Sequence, residues 1–137
     1  MSARVFVDTN ILVYAHDLDA GEKHERAKQR VTELWRSATS PTVSVQVLQV
    51  LFVNLQRKGV PRDAARELVE DYLQWRVVEN TGDLLLEGIA AMDRWSLTFW
   101  DALIVAAARK AGAKELWSED LNVGQDYGGV KVVNPLV

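Results

Sequence analysis

The chain has no cysteine. That excludes a disulfide framework, a thiolate nucleophile, a redox pair and a zinc-thiolate site, so any chemistry must come from oxygen and nitrogen groups. Long apolar runs are missing too. The longest, residues 102–108, falls far short of the roughly 20 residues needed to span a bilayer. Met1-Ser2-Ala3-Arg4 leads directly into a strand-like segment rather than a signal-peptide core, so a cytoplasmic protein with no membrane partner is the expectation. Nor is there a basic excess. With 16 Lys and Arg against 19 Asp and Glu, the formal net charge is −3, which is not the balance of a protein that coats nucleic acid by bulk electrostatics. No repeat, low-complexity tract or linker interrupts the chain. Its 137 residues are 48% hydrophobic, enough for one core, so residues 1–137 are expected to form a single domain.

What is present alternates between short strand signals and helical periodicity. Val5-Phe6-Val7 is a β-branched and aromatic run suited to a strand buried on both faces, and Asp8-Thr9-Asn10 ends it with turn and cap residues, Asn10 being the expected N-cap. Ile11, Leu12 and Ala15 predict a short helix, and residues 17–21 a loop. From Glu22, the spacing of Ala27, Val31, Leu34 and Trp35 predicts a surface helix, with His24 on its solvated side. After a loop from Ser37 to Pro41, Ser44 caps a third helix with Val47, Leu48, Leu51 and Leu55 on its buried stripe, ending near Gly59. A fourth helix follows Pro61 and buries Ala64, Ala65, Leu68, Val69 and Tyr72. Residues 76–78 read as a strand, and Thr81 or Asp83 as the cap of a helix with Leu85, Ile89 and Met92 inward. Residues 101–111 predict a helix buried on most sides and closed by Gly112, and residues 115–118 and 130–133 two last strands. Short strands separated by helices imply parallel pairing through right-handed crossovers, hence an α/β fold, a three-layer α/β/α sandwich around a short, mostly parallel sheet.

In such a sheet ligands bind beyond the carboxyl ends of the strands. Asp8 and Asp120 follow predicted strands, and Asp101 opens a helix, so the three carboxylates could meet at that edge. Asp8 or Asp120 alone could be an ordinary turn residue. Asp101 is harder to explain locally. It lies one and two turns before Val105 and Ala108 on an apolar face, where an unpartnered acid costs more than the helix dipole returns. Gathered carboxylates repel, and a hard divalent ion such as Mg²⁺ or Mn²⁺ relieves that repulsion. An ion there could activate water for in-line attack on a phosphodiester and stabilise the leaving oxygen. Glu119 reads as solvated beside Asp120, and His16 and His24 have no carboxylate at ligand spacing. Trp95 and Trp100 fit core or dimer packing, with base stacking at the mouth of the site as the alternative. Arg57, Lys58 and Arg62 make a basic cluster, either a solvated helix end or a contact for an RNA backbone.

Four strings in register, residues 5–14 (VFVDTNILVY), 44–49 (SVQVLQ), 100–104 (WDALI) and 118–121 (SEDL), followed by Val132-Val133-Asn134-Pro135, resemble PIN-domain proteins of the VapC toxin type over nearly the whole chain. The resemblance implies the PIN α/β/α fold and Mg²⁺- or Mn²⁺-dependent endoribonuclease activity, the toxin role of a type II toxin-antitoxin system. It implies metal binding by Asp8, Asp101 and Asp120, supported by the polar residues Thr9, Asn10 and Ser118. The implied partners are an RNA substrate, a cognate antitoxin and a second copy in a homodimer. One position departs from the pattern. Where the family's third helix reads Gln-Val-Leu-Gln-Glu and supplies a further acid, this chain has Val50. Gln46, Val50 and Asn54 recur every fourth residue, so this valine interrupts a polar stripe and is not needed for the core face.

Two enzymatic states follow, an active nuclease and a weakened PIN-fold module that binds antitoxin or RNA without efficient cleavage. A third reading makes Asp8 the nucleophile of an aspartyl-phosphate phosphatase. That chemistry wants a second acid two residues on, where this chain has Asn10.

Overall fold

Strand β1, Val5–Val7, is buried along its whole length, as expected of an apolar run covered on both faces. The computed structural model that shows it describes residues 4–137; residues 1–3, which the sequence places ahead of this strand, lie outside the described residues. Asp8 ends the strand in extended conformation and caps helix α1, Thr9–His16, its carboxylate accepting from the Thr9 N–H at 2.8 Å. The cap is thus Asp8, and Asn10 lies inside the first turn. A short 3₁₀ turn, Leu18–Ala20, and Gly21 with φ of 63° turn the chain into helix α2, Glu22–Trp35. His24, expected in solvent, is buried in α2, with Nδ1 2.9 Å from the Tyr14 carbonyl oxygen. Helix α3, Val45–Arg57, starts at Ser44, whose hydroxyl accepts from the Val47 N–H at 3.3 Å, and buries Val47, Leu48, Leu51 and Leu55. Helix α4, Arg62–Tyr72, follows Pro61 and buries Ala65 and Tyr72, whereas Ala64 is exposed.

Strand β2, Thr42–Ser44, has no counterpart in the sequence reading. It is three residues long, and Pro41 before it and the capping serine at its end disguise it as a loop. All three residues are buried, and the Thr42 hydroxyl donates to the Val5 carbonyl at 3.0 Å. The remaining elements are β3, Arg76–Val78; α5, Gly82–Trp95; α6, Phe99–Lys110; β4, Glu115–Trp117; and β5, Lys131–Val133. The strands lie in the order β3-β2-β1-β4-β5, and every pairing is parallel, with Phe6 between Thr42 and Leu116. The helices pack as two groups, α1 to α4 on each other and α5 on α6, completing the α/β/α layers around the sheet. Strand order runs one way from β1 through β2 to β3 and the other way through β4 to β5. The switch therefore falls between β1 and β4, where open parallel sheets form their ligand crevice. Among the described residues no helix is long and apolar enough to cross a membrane.

Helix α5 corrects the expected stripe by one position. Thr81 caps it, accepting from the Leu84 N–H at 3.1 Å, but the buried residues are Leu84, Gly88 and Ala91, while Leu85 and Ile89 are exposed. The reason is close approach. A Cβ on Gly88 would stand 2.5 Å from Leu103 Cδ2 on α6, so the small residues mark the packed face and larger ones are turned outward. A single methyl presses on the side-chain end of Leu103, at Cδ2 and then at Cγ 3.2 Å away, and that strain offsets the roughly 1 kcal/mol that alanine gains over glycine in a helix. Gly88→Ala is therefore expected to be near neutral. Gly88→Val adds branched bulk that the α6 backbone cannot yield to, and should lower stability by about 1–3 kcal/mol. Urea unfolding of the two variants checks this, and a valine variant as stable as the parent would contradict the tight α5–α6 contact.

Candidate active site

Asp8 and Ser118 are the first residues beyond β1 and β4, on either side of the topological switch. The sheet ladder holds both backbones. Asp8 N–H donates to the Trp117 carbonyl at 2.9 Å, and Ser118 N–H to the Val133 carbonyl at 3.0 Å. Ser118 is wholly buried, and its hydroxyl is fully employed. It accepts from the N–H groups of Asp120 at 3.1 Å and Leu121 at 3.3 Å, with Asn10 Nδ2 a third donor at the long distance of 3.5 Å, and donates to Asp8 Oδ2 at 2.9 Å. A serine hydroxyl has one proton and two lone pairs. With both lone pairs taken by N–H donors, the proton must go to the Asp8 carboxylate.

Asn10 holds the same loop from α1. Its Nδ2 donates to Asp120 Oδ2 at 2.9 Å, and its Oδ1 accepts from the Glu119 N–H at 3.3 Å, so the two ends of one amide grip a carboxylate and a backbone donor. Thr9 ties the site to α3, its hydroxyl donating to the Val47 carbonyl at 3.4 Å. One turn beyond Asn10, the Tyr14 hydroxyl donates to Glu119 Oε1 at 2.7 Å, and Lys23 Nζ lies 2.8 Å from Glu119 Oε2. Glu119 is therefore an anchored residue, and the Lys23 ammonium followed by the Tyr14 hydroxyl holds its carboxyl below the usual range. The sequence reading missed Tyr14 and Lys23 as supports. Only the four-residue spacing of Asn10 and Tyr14 on one helix face hinted at a common partner.

Burial pushes the Asp8 carboxyl from its ordinary 3.8 to about 6, against the lowering effect of the bonds from Ser118 and Thr9, with the charges of Asp120 and Asp101 adding to the rise. Asp101 is half-buried in the first turn of α6, and after burial its charge also raises the Tyr127 hydroxyl. Asp120 is exposed. None of the ion pairs among the described residues includes Asp8, Asp101 or Asp120, whereas Lys58 of the basic cluster is engaged elsewhere, 2.9 Å from Asp17.

The three predicted acids are brought within electrostatic reach, but not into a closed cage. Among the described residues, no three Asp, Glu, His or Cys side chains stand close enough to enclose an ion. Asp8 and Asp120 share Ser118, and Asp101 acts on Asp8 through its field. The donors suit a divalent ion nonetheless. They are hard oxygens, one of them raised in pKa by burial and by like charge, with no Lys or Arg paired to them, and Mg²⁺ characteristically takes few carboxylates and keeps several waters. Val50 is 42% exposed on α3, one turn after Gln46, whose Nε2 lies 3.5 Å from the Trp100 carbonyl beside Asp101. The histidines play no part here, His16 Nε2 lying 2.7 Å from the Tyr72 hydroxyl.

The PIN domain family model matches residues 5–125. No curated protein matches the chain. Among solved structures, VapC20 of Mycobacterium tuberculosis, described as a Sarcin-Ricin loop cleaving toxin, is 23% identical with a TM-score of 0.69, over 85% of this chain and 89% of that one. A toxin-antitoxin complex from Klebsiella pneumoniae is 22% identical with a TM-score of 0.71, covering 96% of this chain and 97% of that one. VapBC2 from Rickettsia felis, bound to a DNA fragment from their promoter, is 17% identical with a TM-score of 0.60, over 85% and 87% of the two chains. At these identities the structural likeness is one of fold.

The raised Asp8 carboxyl makes stability depend on pH in a definite sense. A proton held to about pH 6 in the folded chain, against 3.8 ordinarily, stabilises the fold fully below about pH 4, and that contribution disappears as pH rises through 6. Asp8→Asn removes the ionisation. In the absence of divalent ions the variant should gain on the parent between pH 4 and 7.5, by at most about 3 kcal/mol. Urea unfolding at both pH values measures the change, and a pH-independent difference would contradict the burial of this carboxyl.

Proposed function

The chain belongs to the PIN domain family, and on that footing we propose that it is a divalent-metal-dependent endoribonuclease of VapC type, the toxin of a type II toxin-antitoxin pair acting in the cytoplasm. The observation that carries this reading is the half-buried Asp8, its pKa raised at the switch between β1 and β4, with Asp120 and Asp101 in electrostatic reach and, among the described residues, no cationic side chain paired to them. Asp8, Asp101 and Asp120 would hold the ion, Mg²⁺ or Mn²⁺, through few direct contacts and several waters. When bound, it supplies neutralisation of phosphate charge and activation of a water for in-line attack. Ser118 aims the Asp8 carboxylate and Asn10 aims that of Asp120. Thr9 fixes the start of α1 against α3. No covalent enzyme intermediate is involved, and the phosphatase alternative lacks its second acid because Asn10 grips Asp120 instead.

The partners are RNA, a cognate antitoxin and a second copy of the chain. The antitoxin is supported by the toxin-antitoxin complex of Klebsiella pneumoniae, which shares this fold. The homodimer is supported by Leu86 and Ile89, which α5 leaves 66% and 45% exposed.

Val50 favours a second reading, in which the same fold binds RNA or antitoxin but cleaves poorly. A site of three acids instead of four holds a divalent ion less tightly and with less carboxylate repulsion. Cleavage of a broad RNA panel with Mg²⁺ and with Mn²⁺ separates the readings. Val50→Glu should raise ion affinity on the order of tenfold and speed cleavage, and Asp8→Asn should abolish it. EDTA should remove tight RNA binding. A parent chain that is already fully active and gains nothing from Val50→Glu refutes the missing-ligand idea, and absence of cleavage by both refutes the nuclease.

A further inference from the structure

Trp100, the residue before Asp101, leaves 65% of its surface in water. It lines a cavity of about 370 Å³ between α3, α5 and α6, together with Phe99, Leu103, Gln46, Gln49 and Asn80. Phe99 braces the indole edge-on, with ring centroids 4.9 Å apart and planes at 72°. The amides are loosely occupied. Gln46 Nε2 reaches the Trp100 carbonyl and Asn80 Nδ2 reaches Gln49 Oε1, each at 3.5 Å, the long limit of a hydrogen bond. An amide side chain has two donors and two lone pairs, so most of this capacity is free for a ligand.

Among the described residues, no Asp, Glu, Lys or Arg lines the cavity. A phosphate or a charged peptide would find no counter-charge in it, but a neutral planar ring bearing donors and acceptors on its edge would find both of its needs. That is the chemistry of a nucleobase taken out of its stack, received by an aromatic face and read by amides along its edge. Trp100 directly precedes Asp101 in the first turn of α6, so the cavity and that acid share one helix end.

We propose that the cavity between α3, α5 and α6 takes one unpaired nucleobase of the RNA substrate, beside the cleaved phosphodiester, with Trp100 as the stacking platform and Gln49, Asn80 and Gln46 facing its edge. The assignment rests on the nuclease reading and deepens it: the base that enters must be unpaired, because one held in a duplex cannot reach the cavity.

The test measures anisotropy of labelled RNA decamers, unpaired and fully duplexed, in Ca²⁺, with the parent chain, Trp100→Ala, Trp100→Phe and the double variant Gln49→Ala/Asn80→Ala. Thermal melting and light scattering are recorded for each. Trp100→Ala should weaken binding of the unpaired decamer roughly tenfold or more, while Trp100→Phe stays within roughly threefold of the parent. Duplex binding should be weak and the same for all. The double variant should flatten the preference among A, C, G and U decamers. An unpaired decamer bound equally well by Trp100→Ala overturns the proposal, as does a parent chain that binds no unpaired decamer. Affinity lost only together with conversion of dimer to monomer also overturns it, and assigns the cavity to a second copy of the chain. Failure of the nuclease reading is distinct: neither the parent nor Val50→Glu then cuts the decamer in Mg²⁺ or Mn²⁺, whatever Trp100 does to binding.

Discussion

A single buried hydroxyl, that of Ser118, couples the sheet to the acidic site. The fold brings the ends of β1 and β4 side by side through parallel pairing, but pairing alone would leave the two following loops free to diverge. Ser118 joins them by receiving the N–H groups of Asp120 and Leu121 and donating to Asp8. Each bond has a separate consequence. The first two shape the loop that carries Asp120, and the third stabilises the charged form of Asp8 against a burial that otherwise disfavours it. Exchange for alanine would leave the buried Leu121 N–H without its acceptor and take one of two hydrogen bonds from the Asp8 carboxylate, and a buried unpaired polar group costs about 1–3 kcal/mol. Threonine would keep the hydroxyl but add a methyl where the side chain has no exposed surface.

Asn10, Tyr14, Glu119 and Lys23 form a second tier around that joint. Asn10 and Tyr14 lie one turn apart on α1 and take hold of consecutive residues of the β4 loop, while Lys23 closes the group from α2. Because Glu119 has its own cation and hydroxyl, its charge is compensated outside the acidic site. The adjacent carboxylates therefore have different tasks. Asp120 faces the Asn10 amide and stays available, whereas Glu119 is committed to holding the loop.

The sequence disclosed those parts of the molecule whose local chemistry and global role coincide. Apolar β1 is buried throughout, the Ser44 and Thr81 caps lie where short polar side chains precede apolar spacing, and the stripe of α3 is the one its periodicity predicts. It was misleading where a tertiary contact outranks local preference. β2 is too short for alternation, and two of its three residues are hydroxyl-bearing; burial and parallel neighbours make it a strand. On α5, hydrophobicity pointed to Leu85 and Ile89, but the closeness of α6 selects Gly88 and Ala91 instead. His24 was read as solvated because nothing local reveals that α1 ends with a carbonyl in its reach. In the candidate site, Asp8, Asp101 and Asp120 were legible as acids at strand ends and a helix start, and Asn10 and Ser118 only through the family resemblance, whereas Tyr14 and Lys23 were not legible, since their partner is distant in sequence.

The net charge of −3 takes on a different meaning once the acids are located. Bulk repulsion is a weak obstacle to a polyanion when most charges are dispersed, but Asp8, Asp101 and Asp120 concentrate negative potential at the place where a phosphodiester would have to lie. A divalent ion reverses the sign there, as bound cations generally do at such sites. The cavity at Trp100 has the complementary property of carrying no charge of either sign, so its attraction for a base depends neither on salt nor on the ion. On the proposed reading, phosphate recognition and base recognition would be separated in space and in physical origin: one electrostatic and conditional on the metal, the other aromatic and amide-based. On that reading, Val50 would weaken only the electrostatic half. An apolar residue in place of an acid reduces the charge that recruits the ion, while Gln46, one turn earlier on the same stripe, still reaches the backbone of Trp100. The fold can therefore lose part of its hold on metal without losing the surface that would receive an RNA base.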